Sequence, residues 1–185
     1  MSPSENRRQA FIAVGANLSD RLATINQALA ALSAHAGIAF LQSSSVHETA
    51  PHGVEDQPPF LNLVLGVETT LGPEDLLALL LDIERLNGRV RTRRWGPRTL
   101  DLDLLVYENQ RRAAATLELP HPRMLERPFV TVPLRELLDT PRFGRPVWDP
   151  LRVQLASLPV PAGTAIPLPL AVTAGARSGR PARDS

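Results

Sequence analysis

Short apolar runs alternate with amphipathic stretches along this chain, and the pattern lays out its elements before any chemistry is considered. Phe11-Ile12-Ala13-Val14 reads as a buried strand closed by Gly15-Ala16-Asn17. Ser19 stands where a helix N-cap is expected, and Leu22, Ile25, Leu29, Leu32 and Ala36 follow at the 3,4,3,4 spacing of an amphipathic helix that ends at Gly37. Ile38 to Thr49, rich in β-branched and hydroxyl residues, predicts a second strand. Residues 50–59 hold three prolines, one glycine and no periodicity, which is loop composition. Phe60 to Thr69 predicts a third strand with Leu61, Leu63, Leu65 and Val67 on one face. Pro73 suits a first helical position, Glu74 and Asp75 suit the first turn, and Leu76 to Leu86 continue the helix to a stop at Gly88. After an exposed loop over Arg89–Arg98, Leu100 to Tyr107 predicts a fourth strand, Thr116 to Leu119 a short fifth, and Phe129 to Leu138 a last amphipathic helix.

The order β-α-β-β-α-β predicts an α+β fold of the ferredoxin-like βαββαβ kind. In that arrangement a mainly antiparallel sheet has two helices packed across one face, here with long loops between its elements. Beyond residue 158 the character changes. Pro159, Pro161, Pro167, Pro169 and Pro181 mix with Ala, Gly, Ser and three arginines, a composition with little to bury. Residues 1–158 are therefore expected to form the folded domain, and residues 159–185 a disordered tail without a catalytic role.

Composition narrows the chemistry. Cysteine is absent, so thiolate metal sites and disulfides are excluded and a cytoplasmic address is the default. No apolar run reaches the roughly 18 residues of a membrane span. A net charge of +1 argues against a general nucleic-acid binder. All 20 basic residues are arginine. A P-loop and a protein-kinase fold each need a lysine on the phosphates, so neither is available.

The most informative run is Arg94-Trp95-Gly96-Pro97-Arg98-Thr99-Leu100-Asp101-Leu102-Asp103-Leu104. On a strand, Asp101 and Asp103 share one face while Leu100, Leu102 and Leu104 take the other. Two rises of about 3.3 Å separate their Cα atoms by roughly 6–7 Å, a span suited to two divalent ions about 3.5–4 Å apart. Carboxylates for metal beside arginines for phosphate point to a polyphosphate substrate such as ATP. Arginine is a planar, permanent cation that matches phosphate oxygens two at a time. Arg89, Arg91, Arg94 and Arg98 are assigned to phosphate, whereas Arg85 and Arg93 read as solvated. Trp95 either seats an adenine or fills a core gap.

Two further clusters bear on a ligand. In His121-Pro122-Arg123-Met124-Leu125-Glu126-Arg127, His121 and Arg127 are spaced to meet one anion, while no second His or Cys is placed to make a metal site. Phe60 and Asn62 share a strand face near Thr49 and His52, where a ring can stack on a flat ligand and an amide can read its edge. His35 and His47 read as surface residues.

Taken together, these motifs resemble the 6-hydroxymethyl-7,8-dihydropterin pyrophosphokinases of folate biosynthesis. The resemblance runs from about Phe11 to Leu138 and includes Gly15-Ala16-Asn17-Leu18, Asp56 to Asn62, Ile83-Glu84, Gly88 to Arg91, Arg94 to Asp103, and Pro120 to Arg127. It implies transfer of the β,γ-diphosphate of ATP to the pterin hydroxymethyl group, with AMP released. By carry-over, Asp101 and Asp103 would hold two Mg²⁺, with Arg89, Arg91, Arg98, His121 and Arg127 around the triphosphate. Glu84, Trp95 and Leu104 would border the nucleoside, while Thr49, His52, Phe60, Asn62 and Phe129 would form the pterin pocket. The arginine loop resembles a lid over ATP. Partners would be small molecules and other folate-pathway enzymes, with no nucleic acid and no membrane. The alternative reading is a ferredoxin-like module that binds RNA or another anion through the Arg89–Arg98 loop, but the chain is only 4% aromatic, against the aromatic-bearing sheets of such modules.

Overall fold

The computed structural model describes residues 7–50, 57–88 and 98–159, together with the backbone of 166–168. Its frame is an antiparallel sheet with β1 (Arg8–Ala16) as an interior strand, whose nearly continuous burial follows from cover on both faces. β4 (Phe60–Thr69) pairs along one side of β1 and β5 (Asp101–Tyr107) along the other. β2 (Ile38–Ser43) and β3 (Val46–Thr49) then pair in succession along the far side of β4, and β8 (Ile166–Leu168) adds to β3. The stretch read as one second strand is thus two. Ser44 separates them: its N–H donates to Val64 O at 2.9 Å and its hydroxyl accepts the Val64 N–H at 3.0 Å. Serine side chains that bond nearby backbone compete with a regular ladder in this way.

Helices α1 (Arg21–Ala34) and α2 (Pro73–Leu86) cover one face. Ile12, Val14, Leu63, Leu65, Leu102 and Leu104 from the sheet meet Ile25, Leu29, Leu32, Leu76 and Leu80 there. The N-cap of α1 is Asp20 rather than Ser19. Its carboxylate accepts the Ala23 N–H at 3.0 Å, while Ser19 turns the chain at φ 56°. α2 runs as expected from Pro73 and closes before Gly88 at φ 74°.

Cover on the second face departs from the expectation of helices on one face alone. α3 (Pro128–Leu138), 3-10 turns at Pro141–Phe143 and Pro146–Trp148, and α4 (Asp149–Ala156) roof part of it. Phe11, Val64 and Leu105 pack there against Val130, Leu134, Leu137, Phe143 and Trp148. α4 left little trace in the sequence because Leu155 is its one fully buried residue. A hairpin of β6 (Arg112–Ala114) and β7 (Leu117–Leu119) stands apart from the main sheet, its second arm being the short strand expected there.

The C-terminal roof is docked by polar as well as apolar contacts. The Trp148 indole N–H donates to Gln9 Oε1 at 2.8 Å, and Gln9 Nε2 donates to Arg142 O at 2.9 Å. Arg142 pairs with buried Glu68 at 2.6 Å, and Arg145 pairs with buried Glu108 at 3.2 Å. Gly66 lets the roof approach closely, since a Cβ there would lie 2.4 Å from Phe143 Cζ. Phe143 is fully buried and cannot swing aside. Gly66→Ala should therefore cost about 1–3 kcal/mol through overpacking, read as a lower urea midpoint; an unchanged midpoint would show a roof free to move.

Candidate active site

Among the described residues the roof does not extend over one end of the second sheet face, and the strand register assembles the site there. Asn62 on β4, Gly15 on β1 and Asp101 on β5 stand in one row, with Val64, Ala13 and Asp103 in the next. Small residues on the central strand leave room between the polar side chains of its neighbours. A Cβ at Gly15 would come 3.1 Å from Asn62 Oδ1 and 3.9 Å from both Asp101 Cβ and Phe60 Cδ1, so Phe60, Asn62 and Asp101 converge on this glycine. Thr49 joins them, its hydroxyl accepting from Asn62 Nδ2 at 2.6 Å.

Asp101 and Asp103 share this face, and Leu100, Leu102 and Leu104 lie in the opposite core, as alternation requires. Leu104 is 3% exposed on the helix-covered side and does not meet the carboxylates. Glu84 is buried in the last turn of α2, where its carboxylate accepts the Leu102 N–H at 2.7 Å. It anchors β5 from beneath.

Each aspartate has an arginine from a different segment. Arg98 Nη1 donates to Asp101 Oδ1 at 2.5 Å, and Arg127 Nη1 donates to Asp103 Oδ2 at 3.1 Å. His121 Nε2 lies 3.9 Å from the same Asp103 oxygen. A register slip between Phe11 and Ile12 bulges β5 at Leu105, and the Leu105 carbonyl accepts the His121 N–H at 2.7 Å. The bulge thus presents His121 to the site. Burial pushes the His121 imidazole below its ordinary pKa, and Arg127 and Arg123 add to that effect against the opposing pull of Asp103. The Arg127 guanidinium also sits 5.9 Å over the Phe129 ring, at the start of α3.

One residue with no role assigned from sequence ties these segments together. Asn17, at the end of β1, is 1% exposed. Its Oδ1 accepts the Arg98 N–H at 2.8 Å, and its Nδ2 donates to Gln57 Oε1 at 3.2 Å. Its own N–H donates to Arg98 O at 3.2 Å. A polar residue directly after a buried strand was the available signal. His47, read as a surface residue, is instead 3% exposed on β3 and bonded to Glu136. Arg85 is solvated, as expected, and pairs with Asp82. The expected site residues His52, Arg89, Arg91, Arg94 and Trp95 lie outside the described residues, and so does the lid expected over Arg89–Arg98 except for Arg98 itself.

Fold and site define a class: an α+β protein with an antiparallel sheet whose open face carries paired carboxylates balanced by arginines. Residues 11–139 match the model of the 7,8-dihydro-6-hydroxymethylpterin-pyrophosphokinase (HPPK) family, and the chain belongs to that family. A 2-amino-4-hydroxy-6-hydroxymethyldihydropteridine pyrophosphokinase of Bacillus subtilis (strain 168) is 46% identical over 128 residues, covering 69% of this chain and 77% of that one. A Haemophilus influenzae protein of the same name is 44% identical over 128 residues, covering 69% and 80%. The mitochondrial folate synthesis bifunctional protein of Pisum sativum is 45% identical over 132 residues, which make up 71% of this chain and 25% of that one. The crystal structure of Plasmodium falciparum wild-type HPPK-DHPS with pterin and p-hydroxybenzoate aligns with a TM-score of 0.51 at 15% identity, over 74% of this chain and 39% of that one. At that identity the likeness speaks for the fold alone.

Asn17→Ala should leave the Arg98 amide without its acceptor and cost about 1–3 kcal/mol. Hydrogen exchange would show the change as lost protection at Arg98, and retained protection there would assign Asn17 no latch.

Proposed function

We propose that the chain transfers the β,γ-diphosphate of ATP to the hydroxymethyl group of 6-hydroxymethyl-7,8-dihydropterin, releasing AMP, in folate biosynthesis. The observation that carries this reading is the meeting of Asp101 and Asp103 on one strand face with Arg98, His121 and Arg127 from outside that strand. Membership of the family supports it independently. Among the described residues no helix is long and apolar enough to cross a membrane.

The two carboxylates fit Mg²⁺, which accepts one or two carboxylates and completes its shell with substrate phosphates and water. Among the described residues no cluster of three or more His, Asp or Glu offers a full protein cage, so a site completed by the substrate suits this donor set. Asp101 and Asp103 would hold two such ions, which supply charge neutralisation along the polyphosphate. Arg98 and Arg127, which balance the aspartates here, are forks for phosphate oxygens. Arg89, Arg91 and Arg94 belong to the same proposal, with Trp95 at the nucleoside and Glu84 and Leu104 beneath it.

The pterin would lie between Phe60 and Phe129, its polar edge on Asn62 and Thr49, with His52 at the rim. The pterin hydroxyl oxygen then attacks the β-phosphorus, the bond from that phosphorus to the bridging oxygen of AMP breaks, and the hydroxyl proton is lost to solvent. Phosphoryl transfer depends chiefly on positioning and charge stabilisation, so no strong general base is needed. Residues 1–158 form the catalytic unit in this reading. Its strand order, β5-β1-β4 with β2 and β3 sharing the fourth place, is read as ferredoxin-like with a broken second strand.

With ATP, Mg²⁺ and 6-hydroxymethyl-7,8-dihydropterin, the chain should form pterin-dependent AMP and no ADP on chromatography; ADP would mean single-phosphate transfer and a different reaction. Asp101→Ala and Asp103→Ala should each abolish turnover with an unchanged circular dichroism spectrum, and normal turnover in either would remove the metal assignment. Arg98→Ala should lower kcat by about 10²–10³, as when one electrostatic stabiliser is lost.

A further inference from the structure

His47 and Glu136 form a polar pair that the proposed chemistry leaves unused. His47 Nε2 lies 2.6 Å from Glu136 Oε1 on α3, and Glu136 Oε2 accepts the Ser45 N–H at 2.8 Å. A carboxylate accepts, so Nε2 carries the shared proton. His47 Nδ1 is buried and has no hydrogen-bond partner. A bare lone pair tolerates such a place better than an N–H does. The ring is therefore oriented by a single bond, the one to Glu136.

Both partners sit on surfaces that carry the proposed pterin residues. His47 and Thr49 share one face of β3, and the Thr49 hydroxyl is bound to Asn62. Glu136 follows Phe129 by seven residues on α3, close to two full turns, so it returns to the same side of the helix roughly 10 Å along. α3 packs against both β3 and β4. Its apolar contacts, Val130 and Leu134 with Phe11 and Val64, are non-directional and would permit a helix to slide. The bonds from Glu136 to His47 and to the Ser45 N–H each have a direction and a length, and they tie α3 to the sheet at one point.

We propose that the His47–Glu136 pair is a positioning device for the pterin pocket, setting the gap between the Phe129 ring on α3 and the Thr49–Asn62 pair on the sheet. The inference rests on the pterin reading of the site. Burial alone would raise the Glu136 carboxyl, but hydrogen bonds from His47 and Ser45 outweigh it and hold the group below its ordinary pKa. The acceptor is thus charged at neutral pH, which strengthens the bond.

The test is steady-state AMP formation by the full chain with ATP, Mg²⁺ and 6-hydroxymethyl-7,8-dihydropterin, with each substrate varied in turn. His47→Leu should raise the pterin KM about tenfold or more through misplaced walls, while the ATP KM stays nearly constant. His47→Gln, whose amide nitrogen can stand where Nε2 does, should recover most of the loss. Glu136→Ala removes the acceptor at a side chain 34% exposed, so it repeats the test should His47→Leu fail to fold. An unchanged pterin KM in these variants would overturn the proposal. So would equal rises in both KM values without recovery in His47→Gln, which is the signature of general stability. A wild-type chain that makes no AMP from the pterin would instead remove the pterin reading, and this role with it.

Discussion

Two carboxylates on one strand face repel each other, and the rest of this site is arranged around that repulsion. Like charges roughly 7 Å apart oppose folding by about 2 kcal/mol at an effective dielectric constant near 20. Arg98 and Arg127 answer it one aspartate at a time, with His121 close by. Because the two arginines come from either side of β5 in the chain, the same charge balance draws two loops onto one strand. The arrangement suits a polyphosphate, whose own charge and accompanying cations can take over the balance that the arginines provide.

Space for a ligand comes from the central strand. Gly15 and Ala13 present almost nothing on the face where Asn62, Asp101 and Asp103 stand. Farther along β1, Phe11 on the same face is fully buried under Phe143 and Trp148. One strand thus serves as floor at one end and core at the other, and the change from Phe to Ala to Gly along it marks where the roof stops. The bulge at Leu105 falls at this boundary and presents His121.

Below the carboxylates, Glu84 holds the Leu102 N–H from α2, and at the strand end Asn17 binds both the N–H and the carbonyl of Arg98. These are buried polar groups with their partners made, the condition under which such groups specify one geometry rather than weaken a fold. The His47–Glu136 pair belongs with them as a bond that crosses from helix to sheet. Among the described residues the chemistry is carried by half-buried charges, while their geometry is set by the more deeply buried Asn17 and Glu84.

How much was legible in the sequence follows from the range of each interaction. Alternation along β5 placed Asp101 and Asp103 on one face and their leucines on the other, because the strand period is a local property of the backbone. The amphipathic spacing of α1, the Pro73 start of α2 and the family motifs from Gly15 to Arg127 were local in the same sense. Asp20 in place of Ser19 as N-cap, and the break at Ser44, depend on which of two neighbouring polar groups captures a backbone partner, and the pattern cannot rank them. The amphipathic pattern marked α3 as a helix, but its placement as a roof with α4, the burial of His47 and the latch at Asn17 rest on contacts between residues 40 to 139 positions apart, which periodicity does not record. What the chain determined by itself was which residues stand side by side on each element, since backbone geometry dictates that. Which arginine meets which aspartate, and where the sheet stays open, was decided only when distant segments packed, because directional bonds and close packing exist only once both partners are in place.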